Sequence, residues 1–349
     1  FQHSFVGAGR AMVYARCGAR LARHVGVAFF STVSSVPRTH VSAQLWNRIT
    51  TLKSYKENAT KTPTELVEKS PADSRASIDL PLASDPVLTE EYKNFRGGVR
   101  FGKILEDIDS FAALIALSHC DDRNPDTFSN MLVTACVDRL DLRRPLTLRH
   151  QDMVLQGCAT WAGRTSLQVN IELLARNVPA SEALQLSGSL VFVSVGKDGK
   201  GTPLNPLVPR TEEDRRLHAE GEQAQARRRD MRVTSLTTAE PTEAESELLH
   251  RTMMGHLPWP DKVPMAETRM QSVHLMQPQE RNFYGKIFGG FLMREAYELA
   301  YAAACSFSAE LGGDERGGFP TLVAVDEVTF NRPVNIGDVV SLNARVVYT

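Results

Sequence analysis

The chain has 349 residues, long enough for two domains of ordinary size with extensions. Its 42% hydrophobic and 23% charged residues are the profile of a globular protein, and a formal net charge of −1 gives no footprint for a nucleic-acid partner. No apolar run reaches the roughly 20 residues that span a bilayer, and Cys17, Cys120, Cys136, Cys158 and Cys305 show no CxxC spacing, so they read as free thiols.

The first acidic residue is Glu57, and Arg10, Arg16, Arg20, Arg23, Arg38, Arg48, Lys53 and Lys56 precede it. At the usual frequency of about one acidic residue in nine, roughly six would be expected there. With Ser31, Thr32, Ser34 and Ser35 added, residues 1–56 have the composition of a mitochondrial transit peptide and leader, which implies the matrix as destination. Arg16, Arg20 and Arg23, at i, i+4 and i+7, would share one helical face, with Leu21, Val25 and Phe29 supplying an apolar face. A disordered basic arm is the alternative. Residues 57–84, polar and broken by Pro63, Pro71 and Pro81, read as a lead-in segment.

The next segment, 85–208, opens a repeat. Asn94, Phe95, Gly97 and Gly102 recur as Asn282, Phe283, Gly285 and Gly290, each 188 residues on. Val137-Asp138 and Arg144-Pro145 recur at the same offset as Val325-Asp326 and Arg332-Pro333, so one domain has been duplicated. In the first copy Ile104, Leu105, Ile108, Phe111, Ala112, Ile115 and Ala116 predict a buried helix from Lys103 to His119. A turn-rich loop at Asp121–Asp126 follows, then strands at Met131–Arg143, Met153–Trp161, Ser166–Leu174 and Ser187–Val195. Pro209 to Arg232, within a linker of residues 209–250, has helix-forming composition without apolar periodicity and reads as a solvated helix. A basic binding patch at Arg227-Arg228-Arg229 is the alternative. The second copy, 251–349, repeats the helix, a loop at Gly312–Gly318, and strands at Thr321–Asn331 and Val339–Tyr348. It stops at Thr349, and its sheet is expected to be truncated, without the last strands. The fold class is α+β, a long helix wrapped by an antiparallel sheet, twice.

The pattern Asn-x-x-Gly-x-x-x-Gly-Gly before a buried helix, with the strand pair Val325 to Asp338, resembles the hotdog-fold thioesterases. The tandem units and arginine-rich leader resemble the mitochondrial acyl-coenzyme A thioesterase 9 group. That resemblance covers residues 85–349 and implies tandem hotdog domains, an acyl-coenzyme A substrate, hydrolysis to free acid and coenzyme A, no cofactor, and a homo-oligomer. Independently, the amides of Gly289 and Gly290 precede a helix and are free donors, suited to a developing oxyanion; a tight turn that requires glycine is the plainer alternative. Asp109 lies on the stripe Leu105, Asp109, Ala112, Ala116, where a buried carboxylate needs a partner or a use. The resemblance makes it the general base for water or the nucleophile.

In the hotdog family each site combines the Asn and Gly loop of one unit with the acid of the other. Applied here, Asn282, Gly289 and Gly290 with Asp109 form one complete site, in which Asn282 orients water or polarises the carbonyl. The opposite site has Asn94 and Gly102 facing Tyr297, with Glu298 as the reserve acid, and is expected to be degenerate. His119, His150, His256 and His274 have no partner at ligand spacing, so no metal is expected. No Gly-x-Ser-x-Gly elbow is present. A hotdog hydratase would need a His near Asp109, and none occurs before His119. A non-catalytic acyl-coenzyme A binding module is the remaining alternative. Arg144 and Arg332 are candidates for coenzyme A phosphates or for ordinary surface ion pairs.

Overall fold

The computed structural model describes residues 4–6, 11–17, 40–54, 65–127, 131–146, 151–196, 199–234, 239–254, 263–310 and 319–348. In chain order these form β1 (Ser4–Val6), β2 (Ala11–Cys17), α1 (His40–Ser54), α2 (Pro71–Ser74), β3 (Ala76–Leu80), α3 (Pro86–Glu91), α4 (Phe101–Cys120), β4 (Met131–Leu142), β5 (Met153–Ala162), β6 (Ser166–Ala175), α5 (Ala180–Ala183), β7 (Leu184–Val195), α6 (Glu212–Thr234), α7 (Glu243–Met254), β8 (Met270–Leu275), α8 (Gly289–Glu310), β9 (Ala324–Val325), β10 (Val328–Thr329) and β11 (Val339–Val346).

Two long helices, α4 and α8, cross in contact, each against antiparallel strands, as tandem hotdog units require. A helix that is apolar nearly all round has to be buried all round, and α4 is: Ile104, Ile108, Phe111, Ala112 and Ile115 are each 1% exposed or less. The sheet that covers it runs β4-β7-β6-β5-β3. Leu167, Val169, Ile171 and Leu173 of β6 alternate inward, as a pleated strand dictates. Each such side chain contributes roughly 1.5–3 kcal/mol relative to exposure. On β4 Leu132, Cys136 and Leu140, which share one parity, are buried together with Val137, because register irregularities between Thr134 and Cys136 and between Val137 and Arg139 break the alternation.

The duplication appears directly as strand pairing. β9 and β10 of the second unit line the free edge of β4, with Val137 opposite Val328 and Leu140 opposite Val325. Since Val137 repeats as Val325, and Leu140 as Val328, each residue faces the repeat partner of the other. The pairing is that of a local twofold axis. The predicted strand Thr321–Asn331 is thus reduced to two short pieces, while β11 matches its expected place. β8 pairs with one edge of β11, and β2 takes the other edge, where β6 stands beside β5 in the first unit. The loop Gly312–Gly318 lies outside the described residues.

The N-terminal expectations change. Arg16 lies on strand β2, not on a helix, and Arg20 and Arg23 lie outside the described residues. The leader's last part is fold: α1 packs on α4, with Leu45 and Ile49 at 0% and 1% exposure and Ser42 Oγ donating to Asp107 Oδ1 at 3.1 Å. Leu45, Ile49 and Leu52 stand at i, i+4 and i+7, an apolar face that the arginine count overshadows. The lead-in segment is also structural, since β3 pairs with β5 and buries Leu80.

The helical linker forms as α6. Glu212, Glu213 and Asp214 fill its first turn, favourable to the helix dipole. Thr211 and Asp214 cap it reciprocally, by Asp214 N to Thr211 Oγ1 at 3.1 Å and Thr211 N to Asp214 Oδ2 at 3.0 Å. It is not fully solvated. Gly221 lets it close on Trp161 of β5, where a Cβ would meet the Trp161 Cβ at 2.5 Å, and Arg228 forms a largely buried ion pair with Asp138. The suggested basic patch therefore has its central arginine turned to the sheet. No helix among the described residues is long and apolar enough to cross a membrane.

Candidate active site

Local geometry explains the Asn-x-x-Gly motif. Asn282 Oδ1 accepts from Tyr284 N at 2.8 Å and Lys286 N at 3.1 Å, and Gly285 completes the turn at φ +71. In the first unit Asn94 Oδ1 accepts from Arg96 N and Gly98 N, both at 2.9 Å, and Gly97 sits at φ +77. The side-chain oxygen thus builds the loop that delivers the chain to the helix start. Asn94 also donates Nδ2 to Val99 O at 3.0 Å, whereas Asn282 Nδ2 has no such bond among the described residues.

At the helix crossing, Gly290 N donates to Asp109 Oδ2 at 2.7 Å. Thr134 Oγ1 of β4 donates to Asp109 Oδ1 at 2.9 Å. Asp109 is 2% exposed, so these donors answer the cost of burying its carboxylate. Both glycines are required by contact. A Cβ on Gly289 would lie 3.0 Å from Asp109 Oδ2, and one on Gly290 would lie 2.9 Å from the Glu106 Cα. Gly289 N has no hydrogen-bond partner among the described residues. Asp109, Gly289, Asn282 and Thr134 line one cleft of about 560 Å³, otherwise mostly apolar. Beside it, Glu106, fully buried, faces Arg294 of α8 at 3.3 Å and ties the two helices together.

The opposite crossing is the same frame with other side chains. Tyr297 stands where Asp109 stands, Leu322 where Thr134 stands, and Phe101 where Gly289 stands. Phe101 and Tyr297 meet edge to face at 5.2 Å between ring centroids. Burial pushes the Tyr297 phenol above its ordinary pKa, so it is a neutral group. Glu298 does not replace the missing acid, because Arg100 holds it in a bidentate pair at 2.8 and 3.1 Å. A cleft of about 890 Å³ remains, lined by Asn94, Phe101, Tyr297, Glu298 and Leu322 among others.

No family model matches the chain. The mitochondrial acyl-coenzyme A thioesterase 9 of Mus musculus is 32% identical over 329 residues, covering 91% of this chain and 72% of the mouse protein. The chain belongs to the acyl-coenzyme A thioesterase family. The mitochondrial thioesterase 9 of Homo sapiens is 34% identical over 289 residues, 79% of this chain and 64% of the human one. A solved hexameric acyl-CoA thioesterase is 26% identical, with a TM-score of 0.40 over 48% of this chain and 99% of its own.

In this thioesterase, the structure thus brings Asp109, Asn282, Gly289 and Gly290 to one place and Asn94, Gly102, Tyr297 and Glu298 to the other. The Asn282 oxygen is occupied by its own loop, and of the two glycine amides it is Gly290 N that holds the Asp109 carboxylate. Sequence reasoning missed Thr134, a residue of β4 whose partner Asp109 lies 25 residues away, and Trp46 of α1, which lines the same cleft from within the leader. Arg332 and Lys286 line the same cleft, whereas Arg144 pairs with Glu182 at 3.2 Å on the surface. Among the described residues no group of three or more His, Cys, Asp or Glu could hold a metal.

Proposed function

We propose that this thioesterase hydrolyses acyl-coenzyme A to free fatty acid and coenzyme A at one composite centre, with Asp109 as general base. The observation that carries this reading is the bond from Gly290 N of the second unit to the carboxylate of Asp109 in the first. With both carboxylate oxygens held by donors, the group is fixed at the edge of the cleft, oriented to take a proton from water. Water beside Asp109 loses a proton to it and attacks the thioester carbon. The carbonyl oxygen becomes an oxyanion that accepts from Gly289 N and Asn282 Nδ2, each donor contributing about 3–4 kcal/mol. The C–S bond then breaks, and the departing thiolate takes the proton from Asp109. Arg332 and Lys286 are the cations placed to meet coenzyme A phosphates.

No histidine lines this cleft among its described residues, which disfavours the hydratase reading. The mitochondrion is the working compartment, and we assign the matrix, in keeping with the arginine-rich leader and the mitochondrial names of the mouse and human relatives. Homo-oligomeric assembly accompanies this reading; Leu249, Met253 and Met254 of α7 are exposed apolar residues.

The test is thiol release from butyryl- and palmitoyl-coenzyme A by wild type and Asp109→Ala. A loss of about 10²–10⁴-fold in kcat is expected. An unchanged rate would refute Asp109 as the base.

A further inference from the structure

The catalytic cleft has one wall that the duplicated domain does not supply. Trp46 and Ile49 of α1 line it, beside Ser110, Ala113 and Leu117 of α4 and Leu292 of α8. Ser110, Ala113 and Leu117 stand at i, i+3 and i+7, so they form one stripe running about 10 Å along the helix from the level of Asp109. An acyl chain whose carbonyl sits at Asp109 and Gly289 finds its apolar track there. Trp46, half-buried, narrows that track: its ring stacks on Phe283 at 3.8 Å between centroids and 28° between planes.

The other cleft shows what happens without this wall. Phe95, the repeat partner of Phe283, is 73% exposed, and its aromatic neighbours among the described residues are Tyr301 and Phe319, in T-shaped pairs at 6.4 and 5.8 Å between centroids. No helix corresponding to α1 lies against it among the described residues, and that cleft is the larger, about 890 against 560 Å³. The α1 helix is held in register by Leu45, Ile49 and the Ser42 to Asp107 bond, so the Trp46 ring is a fixed wall rather than a loose side chain.

We infer that Trp46 is a specificity-determining residue that limits the length and bulk of the acyl group, so that α1 sets substrate choice for a centre built by the two hotdog units. This rests on the reading of Asp109, Gly289 and their cleft as the reaction centre.

The test compares kcat/KM for butyryl- and palmitoyl-coenzyme A in wild type, Trp46→Ala, Trp46→Leu and Asp109→Ala. Truncation to Ala is expected to raise the palmitoyl-to-butyryl ratio by about tenfold, chiefly through KM, the scale on which apolar pocket contacts discriminate. Trp46→Leu, which keeps apolar volume, is expected to move the ratio the same way by less, and it decides the matter if the Ala variant does not fold. A ratio unchanged, or both substrates altered equally, overturns the role of Trp46 when Asp109→Ala is inactive. If Asp109→Ala remains fully active, the reaction centre itself has been misplaced and the role of Trp46 falls with it.

Discussion

The two clefts at the crossing of α4 and α8 share a backbone and differ in three side chains that matter. Asn94 and Asn282 shape the same turn, and Gly97 and Gly285 take the same left-handed φ. On that common frame one cleft carries Asp109, Thr134 and Gly289, the other Tyr297, Leu322 and Phe101. The frame survives in both because loop and helix start are needed to hold the helices in register. The buried carboxylate is present in one alone, where an amide and a hydroxyl meet it.

The sharpest way to break the comparison is to add one methyl group to each glycine of the helix crossing. In Gly290→Ala the new Cβ meets the Glu106 Cα, which is backbone and cannot step aside, as well as the Phe288 ring at 2.6 Å. The helices must separate at the Asp109 contact. Hydrolysis is expected to fall about 100-fold or more, with about 1–3 kcal/mol lost in a denaturant melt. In Gly102→Ala the nearest atoms are the Arg294 Cγ and Glu298 Oε1, at 2.6 and 2.9 Å, so side chains outside the Asp109 contact, not the backbone of the facing helix, have to give. That variant is expected to keep at least about a third of wild-type kcat/KM. Equal losses in the two would contradict the assignment of one working centre per chain.

A second contrast separates the far ends of the two helices. His119 of α4 is wholly buried; its Nε2 lies 2.8 Å from Asn205 O and therefore donates, and Nδ1 has no partner among the described residues. Burial holds its pKa below the ordinary 6.5, since protonation would add a buried N–H without an acceptor. With the folded value depressed, the unfolded chain binds the proton first. Stability is then complete above about pH 6.5 and is lost as pH falls toward the folded pKa, by up to about 1.4 kcal/mol per pH unit. The matching residue on α8 is Phe307. In thermal melts at pH 7.5 and 5.5, His119→Phe is expected to be less stable than wild type at the higher pH but to show a shallower fall between the two. A slope equal to that of wild type would remove His119 as the cause.

The smallest effect is expected where Asp109 has its repeat partner. Tyr297→Phe removes only a phenol that is neutral and outside the working cleft, so kcat/KM for both acyl-coenzyme A substrates is expected to stay within about twofold of wild type. A loss approaching that of Asp109→Ala would show that the second cleft takes part in turnover.

The division between sequence and structure follows the range of each interaction. The repeat, the buried helix and the strands of the first unit are legible because their signals are local: a fixed offset, a 3.6-residue period, an alternation of apolar residues. The pairing of Asp109 with the second unit's glycines comes from the resemblance to the hotdog thioesterases, not from any local signal, and the structure brings the two together. Composition misled at the N-terminus, where the arginines of residues 1–56 masked the apolar face Leu45, Ile49 and Leu52 of α1.

What the sequence determined by itself is the two-unit plan and the place of Asp109 on the buried stripe of the first long helix, since both follow from position along the chain. Only the tertiary structure decided which amide holds that acid, that Thr134 supports it, that Glu298 is held by Arg100, and that Trp46 walls the cleft. Each of these depends on distances between residues far apart in sequence, which close packing sets to within a few tenths of an ångström and no periodicity encodes.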